Sequence, residues 1–194
     1  YYHYQSEVPV IQNLLCDNGP EYKRLTENIG LCWVHDGRMY KKLTPVVPLH
    51  QQELDQFMNR YWDFYQSLLD YKNDPNPLKA EILSLEFDKL FSTRTNYSAL
   101  NYRIQKTRAK KTEMLLVLKY PEIELHNNAS ELEARVQTRK GDVSLHTISK
   151  AGTKSQDTLL TIIRTAKKLG VNIYSYIFDR VSGKFELPSL ASLI

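Results

Sequence analysis

The chain has 194 residues, 42% hydrophobic and 25% charged, with a formal net charge of +4. No apolar run approaches the ~20 residues needed to span a bilayer. Two cysteines, Cys16 and Cys32, are too few for a disulfide framework, so the expectation is a globular protein of a reducing, cytoplasmic compartment with no membrane partner. Charge is unevenly spread: residues 1–100 carry a net −3, and residues 101–170 a net +7. That asymmetry points to a polyanionic partner for the second half, or else to a solvated basic face. The chain starts YYHYQSEVPV, without Met and in strand-like composition, as expected of a piece of a longer protein.

Taken in order, Val8–Cys16 reads as a mostly buried strand ending on the turn residues Asp17-Asn18-Gly19-Pro20. Pro20–Glu27 reads as a short helix with Pro near its first position, and Gly30–Val34 as a second strand. From Arg38 to Lys140 there is no glycine, which favours helices because each interior Gly costs about 1 kcal/mol. Leu54, Phe57, Met58, Tyr61, Trp62, Tyr65, Leu68 and Leu69 form one helical stripe. Asn73–Pro77 breaks that helix. A second helix is expected over Leu78–Phe91, apolar at Ile82, Leu85, Phe87 and Leu90, and a third from about Tyr97 to Lys119. The middle of the third, RIQKTRAKK, is too basic to be buried.

After Pro121 comes HNNASELEARVQTRK, residues 126–140, with Asn128 as a candidate N-cap and Glu131 three residues on, as in a capping box. Arg135 and Arg139 follow Glu131 on one face. A carboxylate leading two guanidiniums is an ordinary ion-pair ladder; it is also what an enzyme would use to hold a metal ion beside a phosphate. Ser155–Leu169, closed by Gly170, and Asn172–Val181 are two further amphipathic helices, and residues 183–194 form a tail that docks on the body. Asp17, at the C-terminal end of a buried strand, stands where α/β sheets place their active sites, although a turn role suffices for it.

CDNGPEYKRL, then CWVHDGRMY, then the distant HNNASELEAR and TIIRTAKKLGVNIYSYIFDRV together resemble the C-terminal catalytic region of bacterial insertion-sequence transposases of the "sixty-six" family. These belong to the Asp-Asp-Glu superfamily. The resemblance implies an α/β, mostly helical fold: a partial ribonuclease H-like core interrupted by an all-helical insertion. The core's first part is residues 1–40, the insertion 41–120, the second core part 121–182 and the tail 183–194. It implies that Asp17 is the second catalytic Asp and Glu131 the terminal catalytic Glu, 114 positions apart, and that both ligate Mg²⁺ or Mn²⁺. Cys32 and His35 match a Cys-x-x-His element supporting Asp17; by themselves they make a poor zinc site, since zinc needs four ligands. Arg38 and Arg135 match basic family positions. Asp36, Gly37, Leu132, Glu133 and the early Arg139-Lys140 depart from the family pattern.

The implied activity is metal-dependent DNA cleavage and strand transfer in transposition. Two divalent ions about 3.5–4 Å apart stabilise the attacking and leaving oxygens. The first Asp is expected on an earlier strand, since only Glu7 precedes Asp17 among the acids. The implied partner is double-stranded DNA, both transposon ends and target, bound by a homo-oligomer. Lys106, Arg108, Lys110, Lys111, Arg135, Arg139 and Lys140 are expected to join Arg38 in holding phosphates. A rival reading is a non-catalytic DNA-binding or interaction module; an integrase-type core would have a shorter gap before the Glu.

Overall fold

In the computed structural model, which describes residues 10–17, 25–128, 131, 132, 135, 138, 139, 147 and 149–193, two short parallel strands set the frame. β1 (Asn13–Cys16) pairs with β2 (Asn28–Leu31), Asn13 opposite Asn28 and Cys16 opposite Leu31. A parallel pair needs a crossover connection, and residues 17–27 supply it. Its described residues, Asp17 and Leu25–Glu27, are not helical, and the rest of the helix expected over Pro20–Glu27 lies outside the described residues. Thr26 braces the crossover: its hydroxyl donates to the Gln12 carbonyl at 2.6 Å and accepts the Asn28 N–H at 3.2 Å. Val10–Gln12 lie outside β1, so the described strand is shorter than Val8–Cys16.

The second strand ends earlier than the sequence suggests, because Cys32 caps a helix. α1 (Trp33–Lys41) begins where a strand through Val34 was expected, the Cys32 sulfur accepting the His35 N–H at 3.3 Å. Helical spacing gives α1 two faces. Trp33, Gly37 and Tyr40 point into the core, while His35 and Arg38, one turn apart, point the other way and remain solvent-accessible.

The helical stretch follows the glycine gap. α2 (Pro48–Asn73) buries Leu54, Phe57, Tyr61, Phe64, Leu68 and Tyr71. α3 (Pro77–Leu90) starts at the expected break, with the Asn76 side chain accepting the Lys79 N–H. Its buried edge is Leu83, Phe87 and Leu90; Ile82 and Leu85 face solvent, since only one side of α3 meets the core. The third helix is interrupted. α4 (Ser98–Arg108) and α5 (Lys111–Met114) are separate, and a 3₁₀ turn (Leu116–Leu118) follows. Met114, Leu115, Leu116 and Val117 are all buried. Four consecutive buried side chains would point all round a continuous helix, so the chain turns at Ala109-Lys110 to bury them.

These helices and the strands share one core centred on Trp33, which is fully buried and ringed by Tyr61, Phe64, Phe87 and Phe91 at 5.3–6.4 Å. Its indole N–H donates to the Met114 carbonyl at 2.9 Å. The described structure is thus mostly helical with a small parallel sheet.

Residues 1–132 and 133–194 form two compact units. In the second, α6 (Lys150–Lys168) starts five residues before Ser155, because Ser149 accepts the Gly152 N–H and caps it there. Gly170, at φ +68°, closes it, with the Val171 N–H on the Ala166 carbonyl. α7 (Ile173–Val181) is capped by Asn172. Ala166, Tyr176 and Leu190 make the unit's own small core, so the tail packs on both helices.

Candidate active site

The parallel register brings the C-terminal ends of β1 and β2 side by side, with the Cys32 N–H donating to the Cys16 carbonyl at 3.1 Å. Asp17 immediately follows β1, and Cys32 immediately follows β2. A third segment is drawn to the same end. Tyr71 donates to the Leu118 carbonyl, Lys72 to the Ile123 carbonyl, and the Trp33 N–H to the Leu125 carbonyl at 2.9 Å. Each satisfies a backbone group that irregular chain would otherwise bury unpaired. Pinned in this way, residues 118–125 deliver Asn127 and Glu131 to the strand ends.

Four side-chain contacts then close a ring. Asp17 Oδ2 lies 3.2 Å from His35 Nδ1, and Asp17 Oδ1 accepts from the Asn127 amide at 2.8 Å. Glu131 Oε1 lies 3.2 Å from Arg38 Nη1, with Oε2 at 3.4 Å from the same nitrogen. His35 and Arg38 are one turn apart on α1; Asn127 and Glu131 are one turn apart on the helix that Glu131 occupies, the Glu131 N–H bonding the Asn127 carbonyl at 3.0 Å. Side chains one turn apart have Cβ atoms about 5–6 Å from each other. The two carboxylates, distant in sequence, thus occupy one neighbourhood, with the Glu131 side chain 19% and the Asp17 side chain 34% exposed.

The helix begins one residue earlier than a cap at Asn128 would allow: Asn128 is already helical, and Asn127 stands at the cap position. Glu131 is therefore a fourth helical residue, one place too far for a capping box. Asn127, which the sequence did not mark, donates its amide N–H to Asp17, while its Oδ1, the atom that would accept a helix N–H as a cap, is buried with no hydrogen-bond partner. The only sequence signal for it was the Asn127-Asn128 pair itself.

Cys32 sits beneath this ring. Burial pushes its thiol up, the Asn127 and His35 backbone N–H groups oppose the shift, and the Asp17 carboxylate adds to it. The buried Cys32 sulfur caps α1 by accepting the His35 N–H. Both cysteines are free.

Among the described residues no group of three His, Cys, Asp or Glu is placed to hold a metal ion. The donor type nevertheless fits Mg²⁺ or Mn²⁺, hard ions that take carboxylate oxygens, and Asp17 and Glu131 supply two such groups.

The expected phosphate-binding residues divide. Arg38 is in the ring. Lys106 and Arg108 are exposed at the end of α4, Lys106 with its ammonium 5.1 Å over the Tyr102 ring. Burial, with Arg103 nearby, pushes the Lys110 ammonium down. Lys111 is paired with Asp88 at 2.7 Å. Arg135 and Arg139 are exposed helical residues of the second unit, and Lys140 lies outside the described residues.

Asp36 belongs to a separate buried network that the sequence showed only as a departure from pattern. Its carboxylate is bound by Arg103, by the Thr107 hydroxyl at 2.9 Å and by the Tyr61 hydroxyl at 3.3 Å. Tyr40 joins through Thr107 at 2.8 Å. This network ties α1 to α2 and α4, on the faces turned away from His35 and Arg38.

No family model matches the chain, and no solved structure matches it. The chain is similar to the uncharacterized protein y4jO of Sinorhizobium fredii (strain NBRC 101917 / NGR234), 36% identical over 154 residues. That match covers 79% of this chain and spans about half of the relative's length, 48%.

Proposed function

We propose that the chain is part of the catalytic region of a DNA transposase with a ribonuclease H-like core, in which Asp17 and Glu131 hold Mg²⁺ or Mn²⁺ for cleavage and transfer of DNA strands. The observation that carries this reading is the convergence of Asp17 and Glu131, 114 positions apart, at the C-terminal ends of two parallel strands. Open α/β sheets bind ligands there. When bound, the metal supplies charge stabilisation for in-line displacement at phosphorus.

The chain's own residues have separable tasks in this reading. Asn127 fixes one Asp17 oxygen, which orients the carboxylate. In the free protein the Arg38 guanidinium pairs with Glu131, and His35 Nδ1 lies against the Asp17 carboxylate. Arg38, 44% exposed at the side chain, would be available to a DNA phosphate if Glu131 held a metal. Lys106 and Arg108 supply affinity for duplex without reading sequence. A third acid has no candidate among the described residues, so this chain by itself is expected to bind duplex without cutting it.

A second reading is favoured by that same missing acid: a DNA-binding module in which the ring of Asp17, His35, Arg38 and Glu131 is purely structural. Binding to a labelled duplex with and without Ca²⁺, a hard ion that takes the same oxygen ligands, separates the two. The catalytic reading predicts that Ca²⁺ tightens duplex binding and that the gain vanishes in Asp17→Asn/Glu131→Gln. An identical Ca²⁺ response in that double variant would favour the module.

A further inference from the structure

The C-terminal unit presents a surface that its own core does not use. α7 buries Tyr176 and Asp179 but leaves Tyr174, Phe178 and Val181 exposed at 87%, 64% and 82%. These recur at i, i+4 and i+7, so they form one stripe. Just past the helix, Phe185 is 65% exposed at φ +52°, a left-handed conformation that bulky residues rarely adopt. The loop is held there deliberately: the Glu186 N–H donates to Asp179 Oδ1 at 2.8 Å, and Arg180 donates to the Leu187 carbonyl at 2.7 Å.

The rings carry cations. Lys184 Nζ lies 5.6 Å over Phe178, and the Arg180 guanidinium 5.3 Å over Phe185. The one carboxylate of α7, Asp179, is buried beneath them, beside Arg180. Across residues 149–193, seven Lys and Arg face three Asp and Glu. Pairing two copies through this stripe would bring like charges together. A partner with flat π faces and negative charge fits both features.

We infer that α7 and residues 182–185 form a stacking platform for single-stranded nucleic acid. Bases stack on exposed aromatic rings irrespective of sequence, and lysine or arginine beside them meets the backbone phosphates. Duplex DNA offers the phosphates but keeps its base faces stacked. This surface does not rest on the carboxylate ring, and its test is made in EDTA, so that failure of one reading leaves the other standing.

The experiment is fluorescence anisotropy of the whole 194-residue chain with labelled oligo(dT) and with a duplex of equal length. Tyr174→Ser/Phe178→Ser is expected to weaken oligo(dT) at least about tenfold while duplex affinity holds. Lys184→Gln is expected to lower the salt slope for oligo(dT) by about 0.7. Phe178→Trp keeps a ring on the stripe, and its added emission is expected to be quenched by oligo(dT). If the double-serine variant melts early, the Phe178→Trp signal decides alone. Unchanged oligo(dT) affinity with no quenching would overturn the platform. So would an equal loss for duplex and single strand, or a dimer that the double variant dissolves in sedimentation.

Discussion

A Cβ on Gly37 would lie 2.8 Å from Cζ2 and 2.9 Å from Cη2 of Trp62, closer than real Cβ contacts come. Gly37→Ala should therefore destabilise the protein by about 1–3 kcal/mol in urea melts, the usual range for overpacking. Trimming Trp62 to Leu in that background should recover part of the loss. Its neighbour Asp36 makes a pH prediction. Burial raises the Asp36 carboxyl above its ordinary value, against the pull of Arg103, Thr107 and Tyr61. A carboxyl raised in the folded state contributes its full stability below its unfolded value, about 3.9, and loses it as pH rises through the folded value. The stability of the wild type minus that of Asp36→Asn should thus fall as pH climbs above about 4. A difference that stays flat or rises would mean that Arg103 outweighs burial.

Among the elements, α1 does the most, because its two faces serve the core and the ring separately. Trp33→Ala should cost about 3–5 kcal/mol; if it costs less than 1, Trp33 is not the centre of this core. Asn127 links the Glu131 helix to β1, and Asn127→Ala should loosen divalent-ion binding by roughly tenfold, as loss of an orienting partner does. Unaltered affinity would leave Asn127 a purely local bond. α2 and α3 were legible in sequence from apolar spacing and from Asn73–Pro77. The β2–α1 boundary was not, because Trp33 and Val34 favour strands and the cap is a cysteine. The turn at Ala109-Lys110 lacks any Gly or Pro; it follows from four buried residues in a row, a packing requirement that local propensity does not express.

At the scale of the molecule, the strands and the helices of residues 48–118 share one core, while α6, α7 and the tail build a second, smaller one. Periodicity could show amphipathic helices but not which would share a core. The candidate site was legible only in part. Asp17 and Glu131 came forward through resemblance, since a turn Asp and an early-helix Glu carry no local signal of proximity. Their convergence depends on long-range bonds from Tyr71, Lys72 and Trp33 that hold residues 118–125 in place. Asn127 and the Asp36–Arg103–Thr107 network emerge only in three dimensions.

The central claim is that Asp17 and Glu131 make one cation site. Titration of the chain with Mn²⁺, followed by the loss of free-ion electron paramagnetic resonance signal, tests it most directly. The proposal predicts one site weakened at least about tenfold by Asp17→Asn and likewise by Glu131→Gln, with the double variant little worse than either, as residues acting on one ion behave. Mn²⁺ binding that is equal in the wild type and the double variant would contradict it.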